Sequence, residues 1–224
     1  MTIREFKMRH DVPHYIVVEG PIGVGKTSLA TRLADSFSGE LVLENLTENP
    51  FLERFYRSDR SAALPTQLFF LFQRARQLEE LRQADMFSPV RVANFLIDKD
   101  RLFAELNLDL EELALYEQIV ENLNIDAPVP DLVIYLQASV DSLLRSIARR
   151  GIPYERKIDR GYLERLTEAY ARHFHSYDQA PLLIVNASTI DPIQNESDYK
   201  LLYKQIKQIS GGRHFFNPSA IVLA

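Results

Sequence analysis

The segment His14-Tyr-Ile-Val-Val-Glu-Gly-Pro-Ile-Gly-Val-Gly-Lys-Thr27 constrains this chain more than any other, because an apolar strand runs directly into Gly-x-x-x-x-Gly-Lys-Thr and then into a helical pattern. Gly20, Gly25, Lys26 and Thr27 satisfy the motif. Glycines allow successive backbone N–H groups to converge on phosphate oxygens, and the helix that follows adds the partial positive charge of its N-terminus. Gly20, Gly23, Val24, Gly25, Lys26, Thr27 and Ser28 are therefore the expected triphosphate cradle. Lys26 is expected to reach the β/γ-phosphates and Thr27 to hold Mg²⁺. The context is complete on both sides, with Tyr15–Val18 as a buried strand and Ser28–Ala34 as an amphipathic helix.

Short apolar runs recur at Leu41–Leu43, Val90–Ala93, Leu132–Leu136 and Leu182–Val185, each followed by helical periodicity. Five such β-then-α units predict an α/β fold, a doubly wound five-stranded parallel sheet flanked by helices. Ligands of such sheets bind beyond the carboxyl ends of the strands, which directs attention to Glu19–Thr27, Glu44, Asn94–Asp100 and the segment after Gln137. Between these lie a helix start at Asn49-Pro50, a long apolar helix opened by Pro65, helices over Asp109–Asn124, Ser139–Arg150 and Asp159–Asp178, and a final helix ended by Gly211-Gly212. Gln67 and Arg74, seven apart on the long helix, share one face, and taken alone both read as solvent-facing polar residues. The basic end of Ser139–Arg150 and the following Gly151-Ile-Pro-Tyr-Glu-Arg-Lys157 suit a lid over phosphates, placed at about 150–158. His173 and His175 are given no metal role, since no third ligand stands at suitable spacing.

The 224 residues, 46% hydrophobic and without a linker-like stretch, predict one domain over 1–224, with residues 211–224 as a tail. A net charge of -5 argues against a surface built for nucleic acid or membrane. The absence of cysteine leaves neither a disulfide framework nor a thiol nucleophile. No apolar run of membrane-spanning length and no apolar leader in Met1–Pro13 are found, and a cytosolic location is expected.

With these pieces placed, the sequence resembles the deoxynucleoside kinase family over roughly Tyr15–Ser188, most strongly the bacterial purine deoxynucleoside kinases. The resemblance implies a P-loop kinase fold with a helical lid, ATP and Mg²⁺ as cofactors, and a small-molecule deoxynucleoside as substrate. It also implies assembly as a homodimer. Residue by residue, Glu44 matches the general base, Tyr56 a contact to the sugar 3′-OH, and Gln67 a paired hydrogen bond to the base. Arg74 matches an arginine deeper in the same pocket and Phe103 the aromatic residue that stacks on the base, while Ile22, Leu52 and Phe55 match pocket liners. Arg150 matches a phosphate-contacting lid arginine and Glu155 the glutamate that joins Tyr56 at the 3′-OH. These matches reverse the solvent-facing reading of Gln67 and Arg74.

Two departures stand out. Where the vertebrate-type family has Glu-Arg-Ser after its third strand, this chain has Ala93-Asn94-Phe95, and Ile152 replaces a second lid arginine. Asp98, Lys99 and Asp100 are candidates for the missing charge. The expected reaction is transfer of the ATP γ-phosphoryl to the 5′-OH of a purine deoxyribonucleoside, with Lys26, Mg²⁺ and Arg150 on the triphosphate and Glu44 accepting the proton. The rivals are a nucleoside monophosphate kinase of the thymidylate kinase sort, disfavoured by the uncharged Ala93-Asn94, and a catalytically inactive subunit on a kinase fold, disfavoured by the intact loop, Glu44 and Arg150.

Overall fold

The computed structural model describes residues 13–82 and 89–216. Strand β1 (Tyr15–Glu19) is central in a wholly parallel sheet, with β2 (Glu40–Val42), β3 (Arg91–Ala93), β4 (Leu132–Gln137), β5 (Leu182–Asn186) and β6 (Arg213–Phe216) in the order β2-β3-β1-β4-β5-β6. The apolar runs of β1, β4 and β5 are buried on both faces, as a strand sandwiched between helix layers must be. Ile16, Val17 and Val18 are completely covered. Burying an aliphatic side chain fully is worth roughly 1.5–3 kcal/mol, so these three strands carry the core. Asp131 ties the two inner strands at their entry, accepting from the backbone N–H groups of His14 and Tyr15 at 2.9 and 3.0 Å.

The sheet has six strands where five apolar runs were expected. The additional edge strand β6 pairs with β5 in the register Leu182↔Arg213 to Val185↔Phe216. Its sequence Arg-His-Phe-Phe has no apolar run, because an edge strand buries little, and only Phe216 of the four is buried. The Gly211-Gly212 pair is likewise corrected: the last helix stops at Ile206, and Gly212, with φ 73°, turns the chain into β6. Residues 211–216 of the expected tail are thus part of the sheet. Residues 217–224, and most of the Met1–Pro13 stretch, lie outside the described residues.

Helices α1 (Lys26–Phe37), α2 (Leu52–Tyr56), α3 (Ala63–Arg82), α4 (Asp98–Asn107), α5 (Leu110–Leu123), α6 (Val140–Arg150), α7 (Arg160–Ser176) and α8 (Glu196–Ile206) cover the sheet. Asp109, Ser139 and Asp159 cap α5, α6 and α7 through their side chains, which fixes those starts where the sequence pattern put them. The long helix begins two residues before Pro65, at Ala63. Its buried residues, Ala63, Thr66, Gln67, Phe70, Leu71, Arg74, Leu78 and Leu81, recur at three- and four-residue intervals. Gln67 and Arg74 therefore occupy the inward stripe and do not face water.

Candidate active site

The loop between β1 and α1 is held open by its glycines. Gly23 and Gly25 have φ of 85° and 99°, a region side-chain-bearing residues rarely adopt. A Cβ on Gly20 would lie 2.5 Å from the Leu136 carbonyl, and one on Gly25 would lie 2.5 Å from Ile193. Helix α1 then starts at Lys26 with no capping side chain and no acidic residue in its first turn. Its first N–H groups are left for an anion, whereas an acidic side chain there would compete for them. Lys26 folds back over the loop, donating to the carbonyls of Gly20 at 2.7 Å and Pro21 at 3.2 Å. Loss of hydration and the nearby Lys99 charge bring the Lys26 ammonium down to about 8, against the pull of Glu19 and Glu44. A triphosphate would reverse that shift by supplying negative charge.

Glu19 fixes the start of this loop. Its buried carboxylate accepts from Gly20 N at 3.0 Å, Leu96 N at 2.9 Å and the Tyr170 hydroxyl at 2.7 Å. The loop and the segment entering α4 are thereby pinned to one side chain.

Just past β2, Glu44 forms ion pairs with Arg74 and, at 3.0 Å, with Lys99. Burial alone would raise this carboxyl, but the two cations and their hydrogen bonds outweigh it and hold Glu44 at about 2. Arg74 uses its other terminal nitrogen on Asp100, and the Gln67 amide donates to Asp100 Oδ1 at 3.1 Å and to its carbonyl at 2.8 Å. Burial raises Asp100 to about 6 in spite of Arg74. The chain Lys99–Glu44–Arg74–Asp100–Gln67 is a continuous buried network that links the end of β2 to the inward face of α3. Of the three candidates for the missing charge, Lys99 and Asp100 join this network. Asp98 stands outside it, close enough to His173 and Tyr177 to interact with them electrostatically.

Asn94, the residue that stands in place of a charged one, is also buried. Its amide donates to Thr27 Oγ1 at 2.9 Å while its carbonyl oxygen accepts from Glu44 N at 2.9 Å. It bridges the phosphate loop to the end of β2. Neither Asn94 nor Lys99 carries an apolar-periodicity signal, and only their position after the third strand singled out the segment.

The segment after α6 packs beside the phosphate loop and α2. Gly151 ends α6 in the left-handed conformation, and Glu155 opens a short 3₁₀ turn, Glu155–Lys157. Arg150 pairs with Glu155 at 2.5 Å, and Tyr154 stacks on Tyr56 with ring centroids 5.6 Å apart. Glu155 is 2% exposed and its carboxyl is raised by burial, which Arg150 opposes.

Lys26, Glu44, Gln67, Arg74, Asn94, Lys99, Arg150 and Glu155 open on one cleft of about 1310 Å³. It is lined by Ile22, Gly23, Val24, Gly25, Lys26, Thr27 and Ser28, by Glu44, Leu52, Phe55, Tyr56, Gln67, Arg74 and Phe103, and by Arg150 and Glu155. Every residue expected at the site therefore borders the cleft except Gly20, which shapes the loop from beneath. The sequence reading missed the wall on the loop side, residues 187–194, which Arg32 anchors by donating to the carbonyls of Pro192 and Ile193 at 3.1 Å each. Among the described residues no group of three or more His, Cys, Asp or Glu side chains could hold a metal by itself. The Thr27 hydroxyl, which accepts from Asn94 and keeps a second lone pair, fits Mg²⁺, an ion that commonly takes one or two protein ligands and completes its shell with phosphate and water.

A parallel sheet, a bare-ended helix behind a glycine cradle, a lysine on that cradle and an arginine-bearing lid define a P-loop kinase fold. The deoxynucleoside kinase family profile matches residues 16–210. A deoxyguanosine kinase of Bacillus subtilis (strain 168) is 35% identical, over 87% of this chain and 97% of its own. A deoxyadenosine kinase of Lactobacillus acidophilus is 28% identical, over 86% and 94%. Structures of deoxyadenosine kinase from M. mycoides share the fold at 23% identity, one with dCMP and dCDP at a TM-score of 0.77 over 87% of this chain and 100% of that one, another with dATP at 0.74. The chain belongs to the deoxynucleoside kinase family.

Proposed function

We propose that the protein transfers the γ-phosphoryl group of ATP to the 5′-OH of a purine deoxyribonucleoside. The observation that carries this reading is the single cleft in which a phosphate loop at one end faces, across Glu44, a buried amide and ion-pair network at the other. Its relatives named for deoxyguanosine and deoxyadenosine support the purine preference.

The donor lies along Gly23–Ser28, with Lys26 on its terminal phosphates and Arg150 brought to them by the lid. Mg²⁺, held through Thr27, neutralises phosphate charge when bound. The nucleoside lies with its base between Phe103 and the pocket liners Ile22, Leu52 and Phe55, paired to Gln67 once that amide gives up a bond to Asp100, and backed by Arg74. Tyr56 and Glu155 take the 3′-OH. Glu44 accepts the 5′-OH proton. A carboxylate near 2 is a weak base, so proton transfer falls late, after the bond to phosphorus has begun to form and the hydroxyl has become acidic. What the low value secures is a carboxylate ionised at every working pH.

The unit is a single domain spanning 1–224, its lid at about 150–158. No helix among the described residues is long and apolar enough to cross a membrane, and we place the protein in the cytoplasm. Phe72 on α3 and Leu115 on α5, half exposed on neighbouring helices, offer apolar surface for a homodimer, which sedimentation analysis tests. The activity is tested with the four deoxynucleosides and their monophosphates, each with ATP and Mg²⁺, read by product mass. Deoxyguanosine and deoxyadenosine monophosphates are the expected products, and turnover confined to the monophosphates would refute the assignment.

A further inference from the structure

The network around Glu44 contains two cations that are not equivalent. Arg74 is 3% exposed, and its terminal nitrogens are used on Glu44 and Asp100, so it is spent inside the protein. Lys99 is different. Its ammonium has three protons and donates one to Glu44 Oε2 at 3.0 Å. It borders the cleft, and its nitrogen stands 5.7 Å from the centroid of the Phe103 ring. It is also close enough to Lys26 that the two charges repel appreciably. Lys99 thus sits where the proton acceptor, the phosphate-loop lysine and the aromatic wall of the nucleoside pocket meet. The residue just after β3, Asn94, brings no charge to that place.

We infer that Lys99 is a positioning residue for phosphoryl transfer, holding the Glu44 carboxylate toward the acceptor hydroxyl and placing a positive charge on the acceptor side of the cleft. Phosphoryl transfer demands little of a protein beyond alignment and charge, and a buried cation already in place needs no reorganisation when negative charge spreads over the transferring group. An ammonium on four methylenes suits the task better than the fixed fork of Arg74, because its two remaining donors can follow a hydroxyl or phosphoryl oxygen while the third stays on Glu44. The competing account makes Lys99 merely the counter-ion of a buried carboxylate. That account predicts a loss of stability and a shift in the acidic limb of the rate profile, with the plateau rate retained, since Arg74 still keeps Glu44 ionised.

The inference rests on the deoxynucleoside kinase reading, and the wild-type protein turning over deoxyguanosine is the control that separates the two. The chain has no cysteine, so Lys99→Cys introduces a unique thiol. It can be converted to a charged side chain with 2-aminoethyl methanethiosulfonate or to a neutral one of similar length with propyl methanethiosulfonate. The expected result is a plateau kcat lowered about 30-fold or more in Lys99→Cys, with the deoxyguanosine Kd within about threefold of wild type. The aminoethyl adduct should recover at least about tenfold and the propyl adduct nothing. Unfolded material is recognised by loss of nucleoside binding in titration calorimetry, and Lys99→Met then replaces the cysteine, with Lys99→Arg as the charged rescue. A plateau kcat within about threefold of wild type in either neutral variant, or equal recovery by charged and uncharged replacements, would overturn the role.

Discussion

Replacing Arg74 by Met should cost about 3–4 kcal/mol of stability at pH 7, and the figure can be built from the groups that Arg74 touches. Asp100, 3% exposed at its side chain, would keep only the Gln67 amide, and a buried carboxylate so stranded protonates. A solution at pH 7 lies about one unit above the Asp100 value of about 6, and giving up the ionised form costs on the order of 1 kcal/mol. Loss of the charge-assisted bond to Glu44 adds about 1.5–3 kcal/mol, since Glu44 keeps Lys99 and is not abandoned. The sum agrees with the cost of about 3–5 kcal/mol for breaking a buried pair from one side. The sign of the pH dependence follows. A carboxyl raised by the fold opposes folding once it is forced to ionise, and below about 6 Asp100 is protonated in the wild type as well. The first contribution therefore vanishes at pH 5, and the deficit narrows to about 1.5–3 kcal/mol. Urea unfolding followed by circular dichroism at pH 7 and pH 5 measures both. Adding Asp100→Leu to Arg74→Met removes the stranded group and should recover most of the pH-dependent part. A deficit below about 1 kcal/mol at pH 7, or one that neither narrows at pH 5 nor responds to Asp100→Leu, would refute the buried bridge.

Glu44→Gln should lower kcat by about 10²–10⁴-fold, read against the deoxyguanosine Kd, which should change little because the amide keeps the volume and one acceptor. For Lys26, the profile of kcat/KM for ATP should fall as pH rises through about 8, because its lowered value means that the charged form is lost there in the free enzyme. Lys26→Ala should abolish that limb along with most turnover. A 2′,3′-dideoxy substrate should lose at least ~10²-fold in kcat/KM, since two buried partners go unpaired, and Glu155→Ala should shrink that preference while lowering kcat through the lid. Additive losses from Glu155→Ala and from removal of the 3′-OH would separate Glu155 from the sugar.

The phosphate loop and the inner strands were legible because their signals are local. Gly23 and Gly25 need unusual backbone angles, and β1, β4 and β5 need uninterrupted apolar runs. Helix starts at Asp109, Ser139 and Asp159 were legible for the same reason, each being a capping side chain. Strand β6 was not, because an edge strand opened by Arg213 and His214 needs its neighbour β5 to form at all. Gln67 and Arg74 misled for a subtler reason. Their positions repeat the inward spacing of Ala63, Phe70 and Leu78, but a polar residue at such a position reads as buried only when its partner is known. That partner, Asp100, lies 26 residues beyond Arg74 on another helix. Lys99 and Asn94 belong to the same class, their importance fixed by contacts to Glu44 and Thr27 that the sheet topology creates.

The central claim is that one cleft moves a phosphoryl group from a triphosphate to a 5′-hydroxyl, and the position of the transferred group tests it most directly. Deoxyguanosine and ATP carrying ¹⁸O in the γ-phosphoryl group are incubated with the enzyme and Mg²⁺, and the product is analysed by mass and by phosphorus–proton coupling. The account predicts a monophosphate that carries the label and couples to the two protons on C5′. Label recovered only in inorganic phosphate, a 3′-phosphate, or labelled diphosphate formed solely from added deoxyguanosine monophosphate would contradict it.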